Sequence, residues 1–169
     1  TYLYKGTEDA IFGTDQNKNR VITRVPRILA GDATSLTHLN CNISIQYADG
    51  AGRGMQTIEY RASPASKDII SGTVEYDVFG RPFKTFLPIE SEFDDGRFVD
   101  TTTVQTRAKA FYGANEVVFS EMIYENSPLS RMLKSFGPGK AWRDLGIGSE
   151  MDYQTVYVAT DIKKIDALV

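Results

Sequence analysis

The chain has 169 residues, of which 41 % are hydrophobic and 24 % charged, proportions ordinary for a globular protein. A formal net charge of −3 gives it no general attraction to nucleic acid or to an anionic membrane. No apolar run approaches the ~20 residues of a membrane helix, so no membrane span is expected. The single cysteine, Cys41, excludes an internal disulfide framework, and with only His38 nearby it makes no zinc site. The opening Thr1-Tyr2-Leu3-Tyr4 has no initiator Met, basic region or apolar leader, and reads as the start of a piece cut from a longer polypeptide.

Along the chain, residues 1–42 read as an irregular strap. Gly6, Gly13, Gly31 and the polar run Asp15 to Asn19 surround one short strand, Val21 to Val25. Beyond it the pattern changes. Short runs rich in β-branched and aromatic residues alternate with Gly, Pro, Asp and Ser clusters, predicting strands at Ile43–Ala48, Met55–Tyr60, Thr73–Asp77, Phe83–Leu87, Val117–Tyr124, Leu129–Phe136 and Tyr153–Ala159. Strands this short and this closely spaced imply antiparallel hairpins. One segment differs. Asp100 is a good N-cap, Val104, Ala108, Phe111 and Tyr112 follow at helical spacing, and Gly113 ends the run. This predicts an amphipathic helix over about 101–112, laid on the sheet. The fold class is therefore mainly β, and residues 43–169 form the β domain.

An internal repeat organises that domain. Asp49-Gly50-Ala51-Gly52-Arg53-Gly54-Met55-Gln56-Thr57-Ile58 aligns with Asp77-Val78-Phe79-Gly80-Arg81-Pro82-Phe83-Lys84-Thr85-Phe86. Each copy follows a strand containing a tyrosine, Tyr47 or Tyr76, and the extra residue between Tyr47 and Asp49 is consistent with a bulge. A third, worn copy starts at Tyr124-Glu125 and resumes at Arg131, with Lys134 and Pro138 in step with Lys84 and Pro88. In each unit the Asp carboxylate can accept from backbone N–H groups two residues on, and Gly52 or Gly80 supplies the positive φ that closes the turn. Arg53 or Arg81 then leads the return strand, free to pair with the turn Asp or to lie on a neighbouring tyrosine. One hairpin cannot bury its own apolar face, so such units stack.

Tyr76-Asp77-x-x-Gly80-Arg81 resembles the core of the YD repeat found in RHS proteins and related toxin shells. Tyr47 to Gln56, Ser63-Pro64, Lys67 to Ile70 and Glu75 to Pro88 are similar, in order and spacing, to the domain of unknown function that precedes the RHS repeats of giant secreted Bacteroidetes proteins. Phe111-Tyr112, Ser120-Glu121, Tyr124 to Arg131, Gly137-Pro138-Gly139 and Trp142 continue the likeness, which spans about residues 43–158. Ala48, Ala51, Gly54 and Ile147 depart from the family's usual residues. The resemblance implies hairpins forming part of a curved sheet or shell. It also implies a secreted or cell-surface, polymorphic-toxin-like protein whose amino-terminal segment starts, caps or plugs the shell around a C-terminal effector. The partners it implies are the remaining repeats of the same polypeptide, with secretion machinery or a surface glycan as further ones.

Sharper chemistry finds little support in the residues. Gly50-x-Gly52-x-Gly54 leads into a strand, not the helix that a dinucleotide fingerprint opens. Gly139-Lys140 lacks the rest of a phosphate loop. Glu90, Glu92, Asp94 and Asp95 miss the EF-hand spacing and read as a solvated crossover. Asp49 and Asp77 are explained by turns rather than by glycosidase chemistry. No nucleophile is placed beside His38. No catalytic, cofactor or metal site is expected. The candidate residues are the structural turn motif Tyr47, Asp49, Gly52, Arg53, Tyr76, Asp77, Gly80 and Arg81. An adhesin-like or carbohydrate-binding module, using exposed tyrosines as sugar platforms, is the alternative.

Overall fold

A computed structural model of the protein describes residues 18–27 and 37–154. It holds two antiparallel five-stranded sheets. The first has the order β1 (Asn19–Pro26), β2 (Cys41–Ala48), β3 (Gly54–Glu59), β4 (Ile69–Ser71) and β7 (Ile89–Glu90). The second has the order β10 (Ser149–Glu150), β9 (Met132–Phe136), β8 (Phe119–Tyr124), β6 (Pro82–Phe86) and β5 (Val74–Tyr76). Helix α1 (Thr101–Tyr112) lies between β7 and β8, and the short α2 (Lys140–Asp144) between β9 and β10. The mainly β fold built of hairpins is as the residue pattern implies. Of the strand expected at Tyr153–Ala159, Tyr153 and Gln154 carry no strand structure, and the remainder lies outside the described residues.

β1 pairs with β2 over all eight of its residues, from Asn19 opposite Ala48 to Pro26 opposite Cys41. The described part of the expected strap therefore forms an edge of the first sheet. β4 and β5 are separated only by Gly72 and Thr73, β6 and β7 only by Leu87 and Pro88. β4 pairs with β7 while β5 pairs with β6. These four strands are the limbs of one long hairpin, bent where Gly72 takes φ 59° and Pro88 withholds its amide. Its outer half belongs to the first sheet and its turn half to the second.

The core lies on one face of the first sheet. Cys41, Ile43, Ile45 and Tyr47 alternate inward along β2, joined by Ile58, Ile70 and Ile89. Val104 and Ala108 of α1 cover them, with Val99, Val118 and Phe86 closing the side. Each such aliphatic side chain contributes roughly 1.5–3 kcal/mol by leaving water. Asp100 caps α1 by accepting from the Thr103 amide at 2.9 Å, and Gly113 ends it at φ 131°. The expected apolar stripe is only half buried. Phe111 is 74 % exposed, and Tyr112 turns its hydroxyl to the Pro88 carbonyl at 2.7 Å, because the sheet beneath ends one turn earlier. Cys41 is buried and donates to the Thr37 carbonyl at 3.1 Å.

The turn glycines behave as the repeat requires: φ is 80° at Gly52 and 79° at Gly80. A Cβ on Gly80 would also run into the Arg53 guanidinium. Gly80→Val is therefore expected to destabilise the protein by at least about 1–2 kcal/mol. Urea denaturation reads this directly, and an unchanged midpoint would contradict the backbone assignment.

Candidate functional site: an acid, arginine and tyrosine ladder

The turn residues form a clasp that recurs nearly atom for atom. Asp49 Oδ1 accepts from the amides of Ala51 and Arg53, both at 2.9 Å, while Oδ2 accepts from Arg53 Nε at 2.7 Å. Asp77 does the same with Phe79, Arg81 and Arg81 Nε, at 2.9, 2.9 and 2.7 Å. A β-bulge sits beside each clasp, at Tyr47/Ala48 and at Glu75/Tyr76, where sequence reasoning expected only the first. The bulge twists the leading strand so that the carboxylate can face its own turn.

The worn third copy completes the set by dividing the labour. Glu125 takes the arginine, accepting from the Arg131 amide at 3.1 Å and from Arg131 Nε at 2.9 Å. Ser127 Oγ takes the turn, accepting from Leu129 N at 3.2 Å as Asp77 does from Phe79. Ser130 stands where Gly52 and Gly80 stand, at φ 54°. The loop is two residues longer, and a longer acid together with a hydroxyl replaces one aspartate. A third bulge lies at Ile123/Tyr124.

Each arginine also reaches the next unit. The Arg53 guanidinium lies over Tyr76 at 4.6 Å from the ring centre, Arg81 over Tyr124 at 4.7 Å and Arg131 over Tyr153 at 4.9 Å. The tyrosine hydroxyls complete the link: Tyr76 donates to the Gly54 carbonyl at 2.7 Å, and Tyr124 to the Pro82 carbonyl at 2.9 Å. At every junction the residue three beyond the arginine meets the residue three before the tyrosine. Gln56 donates to Thr73 Oγ1 at 3.1 Å, Lys84 faces Glu121, and Lys134 faces Glu150 with an ion pair of 3.8 Å. Guanidinium planarity makes the double role possible, since the edge bonds the acid while the face stacks on the ring. Tyr47 is buried, set edge-on to Phe98 at 5.5 Å, and donates to the Gly96 carbonyl at 2.7 Å. All eight expected turn-motif residues thus lie in one connected ladder. Sequence reasoning had not linked arginine to tyrosine across units, nor included Tyr153.

Two buried polar residues escaped it altogether. Gln56 exchanges hydrogen bonds with the Val99 backbone, 2.9 Å to its carbonyl and 3.0 Å from its amide, tying the first sheet to the approach of α1. Asp68 accepts from the Arg61 amide at 2.9 Å and the Gly96 amide at 2.7 Å, and desolvation pushes its pKa up despite these bonds. The acidic loop is a neutralised crossover rather than a merely solvated one. Glu92 pairs with Arg107, Asp94 with Arg61 and Asp95 with Arg97. Among the described residues, no group of three or more His, Cys, Asp or Glu side chains is arranged to hold a metal ion. His38 meets the Tyr60 ring edge-on at 6.1 Å.

The clasps leave electrostatic signatures. Hydrogen bonds from the Arg53 backbone and side chain hold Asp49 below its ordinary range. At Asp77 partial desolvation pulls upward, but the bonds from Arg81 and the Phe79 amide outweigh it and the net shift is down. Glu125, gripped by the Arg131 side chain, is lowered to about 2.

Interlocked hairpins with a repeated polar clasp define a mainly β protein of modular, repeat-like construction. The chain belongs to the family described as a domain of unknown function, DUF6443, whose model matches residues 22–155. Neither the curated proteins nor the solved structures yield a match.

Two outcomes test the ladder. In a double-mutant cycle, Arg81→Met and Tyr124→Leu should show a coupling of about 0.5–2 kcal/mol, whereas additive effects would remove the stacking from the account. The depressed Glu125 contributes stability that is complete above its ordinary 4.5 and is lost as pH falls towards about 2. Glu125→Gln should therefore flatten the acid limb of a stability–pH curve in that window, and an unaltered limb would show that Arg131 does not grip the carboxylate.

Proposed function

We propose that the chain is a non-catalytic structural segment of a larger exported RHS-type polypeptide, where it starts or caps a β-shell of Tyr-Asp repeats. The observation that carries this reading is the interlock itself. Three successive junctions use one rule, arginine over the next tyrosine with the flanking residues in fixed register. A device for joining identical units is what a repeat array needs, because each unit buries its surface only against its neighbours. The polar residues that recur are all consumed by the clasps, so the repeat supplies no spare acid, base or nucleophile for chemistry. The partners are then further repeats of the same polypeptide, and the effector that such shells enclose lies beyond them.

Thermal unfolding of the 169-residue chain, alone and extended by the polypeptide encoded after it, tests the reading. Extension should raise the Tm by about 5 °C or more, equivalent to roughly 2 kcal/mol for a chain of this size. An unchanged Tm in a self-contained monomer, with selective capture of a glycan on an array, would replace the structural role with a binding module.

A further inference from the structure

The ladder does not stop at a closed end. Tyr153 stacks on Arg131 at 4.9 Å, and Glu150 stands opposite Lys134. Both occupy the places that Tyr124 and Glu121 hold against Arg81 and Lys84 one junction earlier. By register, β10 and the residues up to Tyr153 are the leading strand of a fourth unit. In the three complete units the leading strand has two neighbours: the preceding unit on one side, and its own arginine-headed return strand on the other. β2 pairs with β3, the bent second hairpin with itself, and β8 with β9. β10 has only the first of these, β9, and stands at the end of the sheet among the described residues.

The inner amides are accounted for, since Met151 N donates to the Leu133 carbonyl at 2.9 Å. By antiparallel alternation the Glu150 and Asp152 amides point to the other edge. The surface around that edge is uncharacteristically apolar. Trp142, Leu145, Ile147 and Met151 are 60, 74, 46 and 41 % exposed, and no residue of β8, β9 or β10 is fully buried. Gly148 allows this strand to approach closely, for a Cβ there would lie 2.5 Å from the Ser135 carbonyl oxygen.

We propose that the outer edge of β10, from Ser149 to Tyr153, is a docking edge for one kind of occupant: an antiparallel return strand headed by an arginine, supplied by the polypeptide that follows Gln154. It adds by main-chain pairing, the mode in which an extended segment completes an open sheet. Its apolar residues cover the exposed Trp142 and Met151 side. The amino-terminal end of the ladder differs in kind. The Tyr47 hydroxyl is held by the Gly96 carbonyl of the loop leading to α1, where Tyr76 and Tyr124 bond the preceding hairpin. Growth of the array is therefore one-way, outward from β10. This rests on the structural reading above and names the surface through which it operates.

Hydrogen exchange on the extended polypeptide decides the matter. The Glu150 and Asp152 amides should exchange at least ~100-fold more slowly than unprotected ones, matching β8 and β9. Asp152→Pro, which removes an outward amide and leaves the Met151 bond intact, should abolish protection at Glu150 while β5 and β6 stay protected. Free exchange at Glu150 and Asp152 overturns the docking edge. If extension still raises the Tm in that case, the structural role survives and only the surface is wrong. If extension stabilises nothing, the role itself fails. Protection that rises with protein concentration in the extended polypeptide would assign the edge to a second copy and also overturn the proposal.

Discussion

Everything beyond the first sheet depends on what one guanidinium can do twice. Bonded edge-on to Asp77, Arg81 closes its own turn; stacked face-on to Tyr124, it fixes the next hairpin. A lysine could neutralise the aspartate, but it has no planar face to lay on the ring while its charge is engaged. The turn, the bulge and the inter-unit register are consequently set by one side chain. A change there propagates in both directions along the chain.

The two sheets are stabilised by different means. The first is dry: Ile45, Ile58, Ile70 and Val104 are almost wholly removed from water, and the hydrophobic effect carries it. The second has few fully buried residues and leans on cross-strand polar pairs, Glu75 with Lys84, Glu121 with Arg143 and Lys134 with Glu150. Partly exposed ion pairs are individually weak. Clasps and stacking therefore bear more of the load there than they would in a sheet with a buried face.

The parts of this architecture that were legible in the sequence are those with a periodic or local cause. Alternation along Cys41 to Ala48, the Asp100 cap with its Gly113 stop, and the Tyr, Asp, Gly and Arg skeleton each have a signal that a single segment contains. β4, β7, β10 and α2 have two to five residues each, too few for a period to register. Gln56 and Lys84 occupy the same place in the repeat, yet one is a buried tie to Val99 and the other pairs with Glu75 across the sheet. That difference arises only when α1 packs over one unit and not the other. The exposure of Phe111 has a similar origin, since the helix outruns the sheet it covers. The transfer of one aspartate's two bonds to Glu125 and Ser127 needed coordinates to be seen.

The bend at Gly72 joins these themes. Because one hairpin lends its outer half to the dry sheet and its turn to the clasped one, neither sheet can be taken apart without tearing strands from the other. A chain whose halves are stabilised so differently would ordinarily melt in stages, the weaker half first. Sharing a hairpin couples their opening into a single cooperative unit, and the weaker sheet inherits the lifetime of the stronger.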